Sequence, residues 1–480
     1  KLDFGPRGVQ SGVVGSPIPE SNARNMNDAN WQRAMERYAD EERDRGDDFL
    51  KGGARELANV LEGLCGEDPI RFIRLAEALP DEINTAYFDA ILRGVAKSEN
   101  AVPLPDAEAL VRRCHAIDGR PCGQWIGHPL RSHLDGDLSA EMFEILSWYA
   151  TSGEGASSSE VVDDEPDNHL LSRGLNSVRG GMAYELARLI HARPSRIQQL
   201  RPALESLCRD EAPAVRAMAA ETVVAVGAHD PDYAVELFLE LAECPEEALL
   251  ATRFVRQFMV YFGGRKFSKL GPLIERMVNS PLAAVRKEGA AQAALAALTE
   301  APAQPLADAC IAGAPELRLG ATRVFAHNLH TARYRSLCEE RLRSRFDDDD
   351  QEVRKAAAEA IQKTSAGDLA ASSGLIEEFL GSRSFEENLE SVLFALEDAP
   401  TTSAAQLLSA CERVLEMLES PDDVTRKAAR VAHQVSDLLL RGYVNAATRA
   451  EKDRALDVID HALEVNAYGT HRALLDHDRG

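Results

Sequence analysis

Residues able to do metal or acid–base chemistry gather in three places. Cys114, His115, Cys122, His128 and His133 are of the types that hold zinc. Their spacing is irregular, no CxxC pair anchors them, and adjacent Cys114 and His115 are awkward partners for one tetrahedral ion. Trp125 and Ile126 lie among them, so ordinary packing is the preferred reading and no metal is assigned. Whether Cys114, Cys122, His128 and His133 converge is a question for the fold. His327 and His330 share a helical face, with Glu339 and Glu340 downstream; near a helix end they read as capping or surface histidines. The run Asp347–Asp350 offers oxygens to calcium but lacks the alternating Asp-x-Asp-x-Asp-Gly order of an EF-hand loop. It stands just before Val353–Arg354, where acidic side chains favour a helix N-terminus.

Other catalytic signatures are missing from this sequence. There is no GxxxxGK[ST] phosphate loop; Gly263-Gly264-Arg265-Lys266 has glycine beside basic residues but not the second half of that loop. GxSxG and HExxH do not occur. No catalytic residue and no cofactor is therefore assigned. The eight cysteines (Cys65, Cys114, Cys122, Cys208, Cys244, Cys310, Cys338 and Cys411) are scattered and form no disulfide framework of the small secreted type, which points to a reducing, cytoplasmic setting. No apolar run approaches a bilayer span, and the first residues do not read as a signal peptide. The sequence opens on Lys1 and not Met, from which a piece of a longer polypeptide is expected. The formal net charge is −24, which disfavours phosphate-backbone binding, since that needs clustered Lys and Arg. A protein ligand, with a basic surface if charge guides it, is the expected partner.

These residues must be positioned by helices. A chain of 480 residues is too long for one compact core. It is 45% hydrophobic but only 6% aromatic, and rich in Ala, Leu, Glu and Arg, all good helix formers. Residues 1–25, with several Gly and Pro, read as an extended tail or connector. Residues 26–150 read as an N-terminal helical region: Trp31, Met35 and Tyr38 share a helical face, and helices are expected over Ala54–Cys65, Pro69–Leu79, Ile83–Val95 and Met142–Tyr149, with 99–137 less regular. Residues 151–174 contain the small, polar, acidic stretch Gly153–Asn168 and read as a loop or hinge.

From residue 175 to 480 a short element recurs, in which an apolar residue or Thr precedes Arg at the start of a helix, often Ala-rich. The arginines are Arg179, Arg216, Arg253, Arg286, Arg318, Arg354 and Arg426, at steps of 37, 37, 33, 32, 36 and 72. The last step is twice 36, and the absent copy falls near Leu389–Glu390, where the charge is reversed. Such a period marks stacked helical repeats. In one unit Asp210–Pro213 makes the turn, Val215, Met218, Ala219, Thr222, Val223 and Val226 form one apolar face, Gly227–Asp232 breaks the chain, and Val235–Leu241 makes the second helix. The pattern resembles HEAT repeats. The resemblance implies an all-α fold, an α-solenoid of HEAT-like antiparallel helix pairs, in which the early arginine ties adjacent repeats together, often through a carboxylate. A ligand-binding row of arginines is the alternative.

Four further stretches carry a second resemblance: Ser16-Pro17-Ile18-Pro19, Asn30-Trp31-Gln32-Arg33-Ala34-Met35, Ser147-Trp148-Tyr149-Ala150 and Leu175-Asn176-Ser177-Val178-Arg179-Gly180. Together they are similar to the C-terminal helical region of bacterial STAND-type, NACHT-like P-loop NTPases, including antiphage defence proteins. The resemblance implies a non-catalytic sensor that recognises a foreign protein and releases an upstream NTPase to oligomerise. It assigns no chemical role to Asn176, Ser177 or Arg179, and a helix start with Asn or Ser as cap accounts for them locally. A free-standing HEAT-repeat scaffold or adaptor, and a DNA-binding or DNA-repair HEAT-like protein, are the alternatives.

Overall fold

A computed structural model describes residues 14–39, 52–156, 167–362, 372–398, 403–419, 424–465 and 467, without the side chains of 167–168, 398, 424–430 and 432–433. Among the described residues there is no strand; one isolated bridge forms where the Gly52 N–H donates to the Gly15 carbonyl at 2.8 Å. The chain divides into two compact units, Lys1–Phe258 and Met259–Gly480, and the division falls within the helix Arg253–Phe262.

In the first unit, Trp31 and Met35 are fully buried on the short helix Asp28–Arg37, while Tyr38 is half-buried at its C-cap. The helices Ala54–Glu67, Pro69–Ala78, Thr85–Lys97 and Ala140–Ser152 follow. Asp68 caps the second of these, accepting from the Arg71 N–H, and Pro69 takes the first helical position, where its missing N–H costs nothing. The stretch 99–137 is more ordered than its sequence suggests. It holds the helix Leu104–Ala116 and a 3-10 segment, His128–His133. Pro103 and Pro105 stand at the start of that helix, and Ala107, Leu110, Val111 and Cys114 are its fully buried face. Within the acidic stretch 153–168, residues 157–166 lie outside the described residues.

Two helix pairs complete this unit: Val178–Ala192 with Ile197–Cys208, and Pro213–Gly227 with Pro231–Ala242. The single apolar face expected on Pro213–Gly227 is exceeded. Twelve residues of that helix are buried, including Ala214, Ala217, Ala220, Val224 and Ala225 beyond the expected set. The helix is sandwiched, with Val178–Ala192 on one side and Pro231–Ala242 on another, so little of its circumference meets water.

The second unit repeats the plan. After Phe267–Val278 come the pairs Ala283–Ala297 with Gln304–Ile311 and Pro315–Asn328 with Arg335–Leu342, then the helices Gln351–Gln362, Ser373–Leu380, Leu389–Asp398, Ala404–Glu419, Val424–Asn445 and Arg449–Glu464, among which Ala404–Glu419 packs on Val424–Asn445. A helix starts at Leu389, where the arginine pattern lapses. First helices pack on first helices: Ala283–Ala297 lies against Pro315–Asn328, and that against Gln351–Gln362. Small residues set the spacing. A Cβ added at Gly320 would stand 2.1 Å from the Lys287 carbonyl oxygen, so backbones touch across the layer. No described helix is long and apolar enough to cross a membrane.

Candidate functional site

Most of the recurring arginines lie early in a helix and reach forward along the chain. Arg179 donates from Nε and Nη2 to the two carboxylate oxygens of Asp210 at 2.6 and 3.0 Å, and to the Gly153 carbonyl at 2.9 Å. Arg286 donates from Nε to Glu316 at 2.6 Å and from Nη1 to the Ser280 carbonyl at 2.8 Å. Arg318 forks onto Asp348, at 2.9 Å from Nε and 2.8 Å from Nη2. Arg354 forks onto Glu387 at 2.8 and 2.5 Å. These carboxylates lie 31, 30, 30 and 33 residues beyond their arginines, so each bond joins one repeat to the next. Paired, planar, charge-assisted hydrogen bonds of this kind fix orientation as well as distance. Arg216 instead donates to main chain, from Nε to the Asp210 carbonyl at 2.6 Å and from Nη1 to that of Leu241 at 3.2 Å. Arg253 lies over the Phe254 ring, 4.5 Å from its centroid, and its charge bears on Glu221. Arg426 is in the helix Val424–Asn445, and its side chain lies outside the described residues. The acidic partners, one period less a few residues after each arginine, are a signal the sequence reading passed over.

The aspartate run divides its labour. Asp347 accepts from the Arg383 N–H at 2.8 Å. Asp348, buried, takes Arg318, the Arg345 guanidinium at 2.6 Å and the Asp350 N–H at 3.0 Å. Asp350 caps the next helix, accepting from the Glu352 and Val353 N–H groups at 2.9 and 3.1 Å. Oxygens committed to donors in this way are not collected around one point.

Of the five Cys and His candidates, the fold brings Cys114 and Cys122 together. Both are fully buried free thiols, close enough that each bears on the other's charge, and Asp89 lies near Cys122. Burial pushes the Asp89 carboxyl up to about 6. His115 instead packs edge-on to Trp148 and Tyr149, and His128 edge-on to Trp125 at 4.9 Å. His133 ends the 3-10 segment. Among the described residues no three His, Cys, Asp or Glu side chains group as a metal would need, and that includes His327, His330, Glu339 and Glu340.

A cavity of about 740 Å³ opens in the first unit, inside the range of small-ligand sites. The motif Leu175–Gly180 builds one wall, and its residue types explain themselves. Ser177 caps the helix Val178–Ala192: its hydroxyl accepts from the Gly180 N–H at 3.1 Å and donates to the Gly174 carbonyl at 2.8 Å. A Cβ at Gly180 would lie 2.2 Å from the Gly174 oxygen, and one at Gly174 2.3 Å from the Ala214 oxygen, so neither position admits a side chain. Arg179 anchors the turn to Asp210, and Asn176 folds back to donate to the Ser172 carbonyl at 2.8 Å. The side chains left over face the cavity. Leu171, Leu175, Met218, Trp125 and Phe254 give apolar walls; Gln124, His128, Asn176 and Tyr184 give polar points. Gln124 donates to the Leu175 carbonyl at 3.0 Å. Arg131 and Glu185 also line the cavity and are paired, with Arg131 Nε 3.0 Å from Glu185 Oε1. Burial first, then the positive charge of Arg131, holds His128 down at about 4, so its imidazole is neutral at pH 7. Its Nδ1 is buried without a hydrogen-bond partner. From spacing alone His128 is a metal ligand or, by preference, a packing residue like Trp125, and neither reading points to a cavity; the cavity needs residues from five segments that no spacing connects.

Among comparisons with known proteins, the family match agrees with this architecture. A HEAT repeat family model matches residues 200–230, the end of one pair and the first helix of the next. No curated protein matches. Among solved structures, a Kap121p mutant aligns at 12% identity and TM-score 0.45, covering 92% of this chain and 50% of that one. Kap121p bound to Nup53p aligns at 14% identity and TM-score 0.39, covering 87% and 52%. An engineered protein aligns at 15% identity and TM-score 0.28, covering 82% and 98%. The chain thus spans about half the length of the Kap121p chains it aligns with. By its helix pairs and the family match, this is an all-α protein of the HEAT-like α-solenoid class.

Proposed function

We propose that this chain is a non-catalytic protein-recognition module, the C-terminal ligand-sensing part of a larger bacterial STAND-type NTPase in antiphage defence. One observation carries the reading. The motif Leu175–Gly180, one of the four stretches that carry the resemblance to those NTPases, is spent on shaping a cavity wall: Ser177, Arg179 and Gly180 lock the turn, while Leu175 and Asn176 line the opening. A solenoid whose repeats are tied by partly buried arginine–carboxylate pairs is a stiff platform for such a surface. The net charge of −24 favours protein partners with basic patches over nucleic acid. Eight free, buried thiols suit a reducing cytoplasm.

The test is the reading frame upstream of the Lys1 codon, together with ATP hydrolysis by the intact protein. A phosphate loop there, and hydrolysis switched on by a foreign protein that binds this chain, are the expected results. An upstream frame without a phosphate loop overturns the sensor reading and leaves a free-standing scaffold or adaptor, which the HEAT match equally supports.

A further inference from the structure

Resting on that reading, we infer that the cavity beside the Leu175–Gly180 motif is an anchor pocket for one uncharged aromatic side chain of a partner polypeptide, whose adjoining main chain is read by Gln124 and Asn176. Four observations converge. The lining is largely apolar and includes two aromatic rings, Trp125 and Phe254, from different segments, so an incoming ring has aromatic surface to pack against. At the rim, Leu175 is 48% exposed, a large apolar group kept in water beside an opening, as binding surfaces do. The polar points are half-used. The amide nitrogens of Gln124 and Asn176 are spent on main-chain carbonyls, which leaves the amide oxygen of each to accept, as a peptide N–H requires. His128 Nδ1 stands buried and unpartnered.

Charge decides the class of occupant. Arg131 is engaged by Glu185, and Arg253 has Glu221 within its field, so no cation is left over to neutralise a phosphate or carboxylate. With His128 neutral as well, the lining answers to a neutral group bearing N–H donors. That disfavours nucleotides and acidic peptides, and a charged anchor would have to be desolvated without a partner. Tight protein interfaces concentrate their free energy in such aromatic anchors seated in desolvated pockets.

Gly181 supplies a clean blocking variant. It lines the cavity, and a Cβ there meets only the Leu175 oxygen at 3.4 Å and Gln124 Nε2 at 3.7 Å, ordinary contacts. Gly181→Leu therefore fills the pocket while improving helix propensity within Val178–Ala192. The experiment uses the full chain and two probes, N-acetyl-phenylalanine amide and adenosine, followed by Trp fluorescence and nuclear magnetic resonance, and then a displayed library of random peptides. Expected are saturable binding of the capped phenylalanine, at least tenfold weaker in Gly181→Leu at unchanged or raised melting temperature, and selected peptides sharing an aromatic with uncharged neighbours. Asp349→Ala, at an exposed residue of the second unit and outside the cavity, serves as the folded control. Adenosine binding as well as or better than the amide, or selected peptides indifferent to Gly181→Leu, overturns the inference. If the intact protein captures its foreign protein equally well with Gly181→Leu, the pocket assignment fails while the recognition reading stands; if it captures none in either form, the recognition reading itself fails.

Discussion

Replacing Asp348 with Ala tests whether the carboxylates reached by the recurring arginines hold the repeats together. Asp348 accepts from Arg318 of the preceding repeat, from Arg345 three residues before it, and from the Asp350 N–H at the turn that starts Gln351–Gln362. Its own side chain is 4% exposed, and the two arginines are 18% and 14% exposed. Burial already pulls the Arg345 pKa down, so that guanidinium tolerates the loss of its counter-charge poorly. Truncating one partner of a fully buried pair costs about 3–5 kcal/mol; allowing for the residual exposure of both arginines, about 2–4 kcal/mol is expected here. That is about thirty- to several-hundred-fold in a local opening constant. Because stacked repeats can open locally, the assay is hydrogen exchange by mass spectrometry on peptides from Pro315–Asn328 and Gln351–Gln362. Asp349→Ala is the control: Asp349 is exposed and should change stability by no more than about 0.5 kcal/mol. Asp348→Asn, which keeps an acceptor, should fall between. Exchange in Asp348→Ala that matches the Asp349→Ala control refutes the assignment.

Glycine substitutions should split by what a Cβ meets. Gly320→Ala drives a methyl group into the Lys287 carbonyl and should cost about 1–3 kcal/mol despite better helix propensity, whereas Gly181→Ala makes only ordinary contacts and should gain up to about 1 kcal/mol; equal shifts in urea midpoint would contradict the close approach. His128 gives a pH signature. Its folded pKa of about 4 lies below the ordinary 6.5, so the unfolded chain binds the proton first. The stability this contributes is complete above pH 6.5 and is lost as pH falls toward 4, a slope that His128→Phe should remove and whose persistence would exclude His128 as its source. All eight thiols are at most 6% exposed, and burial raises Cys310 to about 11 and Cys338 to about 12. Iodoacetamide should therefore leave the native chain unlabelled and modify all eight cysteines in denaturant; fast native labelling of any one would place it at the surface.

Local periodicity determined much of this protein by itself. The fold class follows from helix-forming composition and from an arginine recurring every 32–37 residues, because each repeat is a self-contained turn–helix–turn–helix signal. Helix starts such as Pro69 and Asp350 are likewise local, since a cap needs only its next three residues. What the tertiary structure alone decided is whatever depends on distance along the chain. The burial of Pro213–Gly227 nearly all round reflects neighbours that its own sequence does not name. The helix Leu104–Ala116 is held by contacts with Pro69–Ala78 and with the His128–His133 segment, so its weak local signal prevails only in place. The meeting of Cys114 with Cys122, and the turning of His128 toward Trp125 and away from them, are outcomes of packing. The cavity is the extreme case: Trp125, Leu171, Tyr184, Met218 and Phe254 line one space though they come from five separate segments, and no spacing within one segment can encode a volume enclosed by several.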